Sequence, residues 1–371
     1  MTTSMNVSRR TFMAGAGAAG LVLGFRVPLS SGGGAALAGT GQTDEITAWV
    51  VVQPDEAVVI RIARSEMGQG TLTGLAQLVA EELDCDWARV TTEYPTPGTN
   101  LARGKIWKSF ATGGSRGIRG SHDYVREGGA AARQMLVTAA ANAWGVSPGD
   151  CTTAKGVITH GATGRTTTYG KVAQAAAKLP VPETVALKDP KDWTIAGQPL
   201  KRLDTADKLT GKQIYGTDLK LPGMVNAAIR QYPLFGAKLK SFDASKVMAM
   251  PGVKKVVAVG DDAVAVVADK WWQAKTAIDA LPIDWDEGPH AKIDSADIHA
   301  MVAEGLDAKE AFVANQVGDA EAAIAGSVKQ VQATYSYPFQ HHATMEPMNA
   351  TALWTADRCE VWCPTQNGES A

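Results

Sequence analysis

A glutamine set between two glycines, Met67-Gly68-Gln69-Gly70, stands directly before an amphipathic run that ends Ala80-Glu81-Glu82-Leu83. Leu72, Leu75, Val79 and Leu83 recur at spacings of three and four, which predicts a helix with one buried stripe. The glycines let a backbone turn tightly and come close to a ligand. A helix that starts there is expected to offer unpaired N–H groups and a partial positive charge to an anionic or oxo-bearing group. Gln69 can donate and accept hydrogen bonds without adding charge. Upstream, Ile46–Val52 and Ala57–Ala63 read as strands joined at Pro54-Asp55-Glu56, so the loop leaves a strand and enters a helix.

The 371-residue chain is long enough for two or three domains. Its formal net charge is −2 and no basic stripe is present, which argues against a nucleic acid partner. Past the N-terminus no apolar run approaches the roughly 20 residues a membrane span needs. Cys85, Cys151, Cys359 and Cys363 show neither C-x-x-C spacing nor a run that would hold an iron–sulfur cluster. Cys359 and Cys363 fall in an apparent strand, where a rise of about 3.3 Å per residue sets them too far apart to bridge. His342 and Glu346 are four apart, but no third ligand accompanies them and no metal site is expected.

The N-terminus reads as an export signal, residues 1–38. Ser8-Arg9-Arg10-Thr11-Phe12 is a twin-arginine pattern, Met13–Phe25 is weakly apolar, and Ala36-Leu37-Ala38 is a small-x-small cleavage site. The twin arginines point to the route that carries folded proteins, and so to the periplasm. Gly15-Ala16-Gly17-Ala18-Ala19-Gly20 matches G-x-G-x-x-G, but no strand precedes it, so a dinucleotide fold is not expected.

Further along, 91–109 is polar and irregular, and Thr112-Gly113-Gly114-Ser115 forms a second glycine loop. A small-residue helix is predicted from Tyr124 to Trp144, capped by Gly145, and a short one from Tyr169 to Lys178. Leu179–Pro199 reads as a linker. Beyond it, Val256–Val259, Ala263–Ala268 and Ile283–Trp285 read as strands and Trp271–Leu281 as a helix, with Trp271 and Trp272 assigned to core packing. Residues 292–327 look helical and polar. Val331–Tyr337, Asn349–Trp354 and Glu360–Trp362 look like strands. Glu81 and Glu82 are read as solvated or structural. The chain stops just after a strand, which reads as an interrupted domain whose final strands would leave an edge exposed and the isolated chain poorly soluble.

The order Met67-Gly68-Gln69-Gly70 then Thr112-Gly113-Gly114-Ser115 resembles the molybdopterin-binding part of the large subunit of molybdenum hydroxylases, the xanthine dehydrogenase and aldehyde oxidoreductase family. Arg202-Leu203-Asp204, Lys208-Leu209-Thr210-Gly211, Tyr215, Asp218 and Leu221-Pro222-Gly223-Met224 resemble the opening of that family's α/β-hammerhead domain, and Pro251-Gly252-Val253 and Val264–Ala268 continue the match. His342, Met345-Glu346-Pro347 and Trp362-Cys363-Pro364-Thr365-Gln366 resemble the start of its next molybdenum-binding segment. The glutamine loop here precedes the hammerhead. With the twin arginines, that order resembles the exported branch containing the beta subunit of isoquinoline 1-oxidoreductase and related aldehyde dehydrogenases.

The resemblance implies an α+β fold in which molybdopterin-binding segments, 39–195 and 291–371, flank a hammerhead-like domain at 196–290. It implies that Gly68, Gln69, Gly70, Thr112, Gly113, Gly114, Ser115 and Gln366 bind the cofactor: Gln69 on the pterin or a molybdenum oxygen, Gly113 and Gly114 lining the metal and substrate space, Thr112 and Ser115 fixing their loop, Gln366 beside the oxo group. No protein metal ligand is required, because the pterin supplies them. The implied cofactor is molybdopterin, as the cytosine dinucleotide form, with molybdenum. The implied partners are a two-iron two-sulfur small subunit, a c-type cytochrome acceptor and the missing C-terminal half of the large subunit. That half would carry the glutamate base, so no catalytic residue is assigned here and Glu66 is not taken as the base. The implied reaction is hydroxylation of an aldehyde or an N-heteroaromatic carbon with oxygen from water. Two alternatives stand beside it: a non-catalytic fragment or split half serving in cofactor binding or assembly, and an exported binding protein without molybdenum.

Overall fold

The computed structural model describes residues 44–310 and 312–371. The signal-like segment and its glycine pattern lie outside the described residues. The described chain divides into two units. One takes the residues up to Leu219 together with Thr344–Ala371, and the other is Lys220–Ala343.

The first unit begins with three antiparallel strands, β1 (Asp44–Thr47), β2 (Val50–Val52) and β3 (Val58–Arg61). The expected single strand over Ile46–Val52 is instead two, because the chain turns at Ala48-Trp49 and pairs Asp44 with Val52. The turn carries the Trp49 ring against α4, described below, at a point where a glycine leaves room for it. After β3 come the glutamine loop and helix α1 (Thr71–Leu83). The chain then returns as β4 (Val90–Glu93), parallel to β3 and completing the sheet β1-β2-β3-β4. The glutamine loop therefore lies at the carboxyl end of β3 in a β–α–β unit, where open α/β sheets place their ligands.

The irregular stretch contains α2 (Pro97–Ala102), which starts because Thr96 caps Thr99 N at 3.1 Å and Pro97 occupies the first turn. Next come α3 (Arg116–Arg119) and the long α4 (His122–Trp144), ended by Gly145 in the left-handed region. The small residues of α4 are a packing requirement. A Cβ on Gly129 would lie 2.5 Å from the Val79 carbonyl oxygen of α1, and one on Gly128 would lie 2.4 Å from the Trp49 ring. Helices α1 and α4 thus meet backbone to backbone over the sheet. A three-stranded sheet that the sequence pattern did not reveal follows: β5 (Cys151–Ala154), β6 (Val157–His160) and β7 (Thr166–Thr168). Helix α5 (Tyr169–Ala176) then packs on α4 and β1.

The apolar stripe of α1 is buried in the main core with Ile60, Ile62, Leu136 and Trp107. Each such side chain contributes about 1.5–3 kcal/mol. Glu81 and Glu82 are also fully buried, so the solvated alternative for them is overturned. Glu81 Oε2 accepts from Thr194 N, Ile195 N and Ala196 N at 2.8, 2.6 and 3.0 Å, and Oε1 accepts from Lys188 Nζ at 3.0 Å. Glu82 accepts from Arg126 Nε at 2.9 Å and from Lys188 N at 3.1 Å. The proline-rich 179–199 segment is therefore fastened to α1 by two carboxylates. The unit continues through α6 (Thr205–Thr210) and closes with an exposed hairpin, β13 (Thr351–Trp354) and β14 (Cys359–Trp362).

The second unit holds two sheets. β8 (Asn226–Gln231), β10 (Val253–Val259) and β11 (Ala263–Ala268) pair in the order β10-β11-β8. β9 (Lys238–Phe242) pairs with β12 (Ile283–Asp286). Helix α7 (Trp271–Ala280) covers the first sheet with Ala274, Ala277 and Ile278. Trp271 and Trp272, expected in the core, are instead 58% and 57% exposed. Both occupy the first helical turn: Trp272 points away from the face of Ala274, Ala277 and Ile278, and Trp271 lies one turn before that buried stripe begins. Among the described residues, 292–327 supply α8 (Ser295–Glu304), followed by a 3-10 turn at Gly305–Asp307, and α9 (Ala320–Ala325). Val331–Tyr337 forms no strand. Among the described residues nothing pairs with it, and Val331, Tyr335 and Tyr337 are exposed. A strand needs a partner for its backbone as well as an apolar alternation.

Substituting Gly129→Ala should lower the melting temperature by about 5 °C, because overpacking at a backbone contact costs roughly 1–3 kcal/mol. Thermal unfolding followed by circular dichroism checks this, and an unchanged midpoint would remove the close helix contact.

Candidate functional site

Three segments distant in sequence meet at the carboxyl end of β3, and Thr112 is their hub. Its hydroxyl accepts from Ser65 N at 2.9 Å. Its backbone N–H donates to Gln366 O and its carbonyl accepts from Gln366 Nε2, both at 2.7 Å. Ser65 Oγ completes the circuit by donating to Thr365 O at 3.0 Å. The glutamine loop, the Thr112 loop and the Thr365-Gln366 segment are thus joined by four hydrogen bonds. The tail after Gln366 is also held, since Asn100 Nδ2 donates to Glu369 Oε1 at 2.6 Å.

Within the first loop, Gln69 is held in a fixed orientation. Its Oε1 accepts from Met67 N at 2.6 Å and its Nε2 donates to Ser65 O at 2.9 Å. These partners settle which end of the amide is nitrogen. They also leave the second Nε2 hydrogen without a partner among the described residues. Gly68 and Gly70 have φ of +97° and +89°, a region that side chains other than glycine's strain to enter, and a Cβ on either would meet nothing within 4 Å. The same open space faces Gly113. The rim of the loop pair is therefore open at Gly68, Gly70 and Gly113, while at Gly114 a Cβ would lie 3.6 Å from Arg116 Nε.

The α1 N-terminus differs from expectation. Two of its N–H groups, Leu72 N in the first turn and Gly70 N at the cap, are not free for an external anion, because Glu66 occupies them. Glu66 Oε2 accepts from Leu72 N at 2.9 Å, and Oε1 accepts from Gly68 N and Gly70 N at 2.7 and 3.1 Å. Burial pushes this carboxyl up, but the bonds from Leu72, Gly70 and Gly68 together with the Arg202 charge outweigh it and hold it below its ordinary value. Glu66 is an internal cap whose oxygens face its own loop.

The second loop enters α3 through Gly114 and Ser115, both left-handed at φ +57° and +55°. The Ser115 side chain makes no capping bond, so its expected part in fixing the loop falls to Thr112 and to Arg119 Nη2, which donates to Gly114 O at 3.4 Å. A left-handed non-glycine residue stores about 1–3 kcal/mol of strain and persists only where its surroundings hold it. Here α3 is packed on the first turn of α1: a Cβ on Gly117 would lie 3.1 Å from Thr71 Oγ1, and one on Gly74 would lie 2.9 Å from Ile118.

Of the eight predicted residues, Thr112 is buried, Gly70 is half-buried, and Gly68, Gln69, Gly113, Gly114, Ser115 and Gln366 are exposed. All eight lie on the three joined segments. Two supporting residues were not legible. Buried Arg64 donates from Nε to Ser121 Oγ at 3.0 Å, from Nη2 to Tyr124 OH at 3.3 Å and from Nη1 to Ala111 O, tying the Thr112 loop to α4. Arg202 bridges Glu66 and Gly68 O. Arg64 sits just ahead of the glutamine loop, and Arg202 stood out in the sequence only as part of the hammerhead-like opening. Among the described residues no three His, Cys, Asp or Glu side chains gather as a metal would require. Glu346 instead accepts from Thr217 N at 3.4 Å and from Asn349 Nδ2 at 3.2 Å.

This donor set suits a ligand that brings its own charge and metal. It offers neutral amides on loops that are open at Gly68, Gly70 and Gly113, and its one carboxylate is turned inward.

Comparison with known proteins agrees. The molybdopterin cofactor-binding domain family matches residues 14–215 and again 304–371. A membrane-bound aldehyde dehydrogenase (pyrroloquinoline-quinone) of Gluconacetobacter polyoxogenes is 28% identical over 373 residues, covering 94% of this chain and 46% of that protein. The isoquinoline 1-oxidoreductase beta polypeptide of Brevundimonas diminuta is 28% identical over 98% of this chain and 52% of that protein. A nicotinate dehydrogenase polypeptide of Pseudomonas putida is 27% identical over 87% and 27%. The chain spans about half the length of the first two relatives and about a quarter of the third. Among the described residues no helix is long and apolar enough to cross a membrane.

The carboxylates give the site an acid limit. Glu81, like Glu66, is held below its ordinary value: burial raises it, and the bonds from Ile195, Lys188, Ala196 and Thr194 more than offset this. A carboxyl whose folded value is depressed contributes stability above its unfolded value, about 4.5, and loses it as pH falls through the folded value. The melting temperature should therefore be steady near neutrality and fall below about pH 4.5, and Glu81→Ala should cost about 3 kcal/mol at neutral pH. Thermal scans from pH 7 to 3 check both; a midpoint flat to pH 3 would contradict the assignment.

Proposed function

This chain belongs to the molybdopterin cofactor-binding domain family, and from that premise we propose that it is the molybdenum-binding part of an exported oxidoreductase that hydroxylates aldehydes or N-heteroaromatic compounds with water-derived oxygen. The convergence of Ser65–Gly70, Thr112–Ser115 and Thr365-Gln366 through Thr112 carries this reading. Names given to the relatives, aldehyde dehydrogenase and isoquinoline 1-oxidoreductase, support the substrate class. The twin-arginine pattern supports export to the periplasm.

In this reading Gln69 directs its unpaired amide N–H at the cofactor, and its ring of bonds to Met67 and Ser65 removes the entropy of aiming it. Gly68 and Gly70 keep side chains out of the approach, and Gly113 and Gly114 line the opposite side. Thr112 holds Gln366 in place, Ser115 enters the helix beside it, and Gln366 keeps one amide hydrogen for the ligand. The cofactor, molybdopterin in its cytosine dinucleotide form, supplies two-electron oxidation coupled to oxygen transfer when bound. The base that takes the proton lies in the part of the relatives' length that this sequence does not span. A small subunit with two-iron two-sulfur clusters and a c-type cytochrome take the electrons. The hammerhead-like domain of the family is assigned to residues 196–290, whose strands β8–β12 lie in the unit Lys220–Ala343.

Protein purified from its host with every co-purifying chain should contain molybdenum and pterin near one per chain, measured by plasma mass spectrometry and by pterin fluorescence after oxidative release. Gln69→Glu removes the donor and places a charge on the rim, so loading should fall about tenfold or more. Wild-type protein free of both would overturn the proposal.

A further inference from the structure

We propose that Arg202 is the positioning residue of the Gln69 loop, a clamp whose guanidinium fixes the Gly68 peptide and so the direction in which the Gln69 amide points. The inference deepens the cofactor reading of this site and, for its functional part, rests on it.

Arg202 approaches from a strap laid over the first turn of α1, where Leu203 N donates to Thr73 Oγ1 at 3.1 Å. From there Nη1 donates to Gly68 O at 2.7 Å and Nη2 to Glu66 Oε1 at 3.0 Å. The other edge of the guanidinium is seated on Asp204, with Nε to Oδ1 at 2.9 Å and Nη2 to Oδ2 at 2.7 Å. Asp204 is itself buried and takes a further bond from Lys208 Nζ at 2.7 Å. The chain Lys208–Asp204–Arg202–Glu66 alternates in charge and ends on the three N–H groups of the loop. Charges therefore balance beside the site, and the rim keeps only neutral donors.

The Gly68 carbonyl is the point that needs holding. Glu66 satisfies the N–H groups of Gly68, Gly70 and Leu72 but leaves that carbonyl to Arg202. A glycine enters either sign of φ at little cost, so an unheld Gly68 peptide can turn over. Turning it would carry the Gln69 backbone with it and break the amide's bonds to Met67 N and Ser65 O. A lysine cannot replace the clamp. Its single ammonium is a point charge, whereas the planar fork reaches a carbonyl and two carboxylates at once.

The test is hydrogen exchange by mass spectrometry on the full chain, comparing Arg202→Met and Arg202→Lys with wild type, alongside pterin content of the same proteins. The amides of Gly68, Gly70 and Leu72 should exchange about tenfold faster in both variants, while those of Thr194–Ala196, held by Glu81, stay unchanged and report that the fold is intact. Pterin content should fall severalfold in both, since lysine keeps the charge but not the fork. Should Arg202→Met fail to fold, Asp204→Asn is read instead, with loop exchange expected to rise about threefold. Loop exchange within twofold of wild type in whichever variant folds overturns the clamp. Faster loop exchange in a protein that never carries pterin would keep the clamp and remove only the cofactor reading.

Discussion

Irregular backbone has to have its N–H groups satisfied, and in this chain buried and half-buried carboxylates do it. Glu66 takes the amides of the glutamine loop, Glu81 takes three successive amides of the 194–196 segment, and Glu82 takes Lys188 N. Glu56 does the same for Gly170, at 2.9 Å. Glu66, Glu81 and Glu82 turn segments that have no ladder of their own into fixed walls of the first unit, and Glu56 caps the first turn of α5. Charge-assisted bonds to backbone N–H groups are roughly twice as strong as neutral ones, which is why so few residues suffice. Helix α1 is the beam to which two of these segments are tied, one at each end.

From that beam follows the character of the site. With Glu66 bonded to Leu72 N and Gly70 N, the positive end of the helix is partly offset and the loop presents no free carboxylate. It offers amide hydrogens on Gln69 and Gln366, two glycine rims, and a threonine that joins one loop to the other. Such a surface recognises by shape and by neutral hydrogen bonds, which fits a bulky pterin that carries its own sulfur ligands and phosphates. The left-handed Ser115 is the strained point of this surface, held where α3 meets the first turn of α1.

Much of the arrangement was legible where the signal is local. The stripe Leu72, Leu75, Val79 and Leu83 identified α1, Gly145 marked the end of α4, and the paired glycines located both loops. What was not legible depends on partners remote in the chain. Glu81 and Glu82 look like ordinary surface acids until the 188–196 segment is folded over them. Arg202 reads as part of a later segment until it is seen on Gly68 O. Trp271 and Trp272 look like core because they are large, but their place in the first turn of α7 leaves the buried face to Ala274, Ala277 and Ile278. Val331–Tyr337 has a strand's alternation with no partner strand among the described residues, and alternation alone makes no ladder.

The central claim is that Gln69, Thr112 and Gln366 form one cofactor-facing surface. An experimental structure of the loaded protein, with whatever chains accompany it, tests this most directly. The account predicts pterin or metal-oxo density within hydrogen-bonding distance of Gln69 Nε2, with the Thr112–Gln366 bonds intact and Glu66 still turned onto Leu72 N. Pterin density elsewhere on the chain, with Gln69 facing solvent, would contradict it.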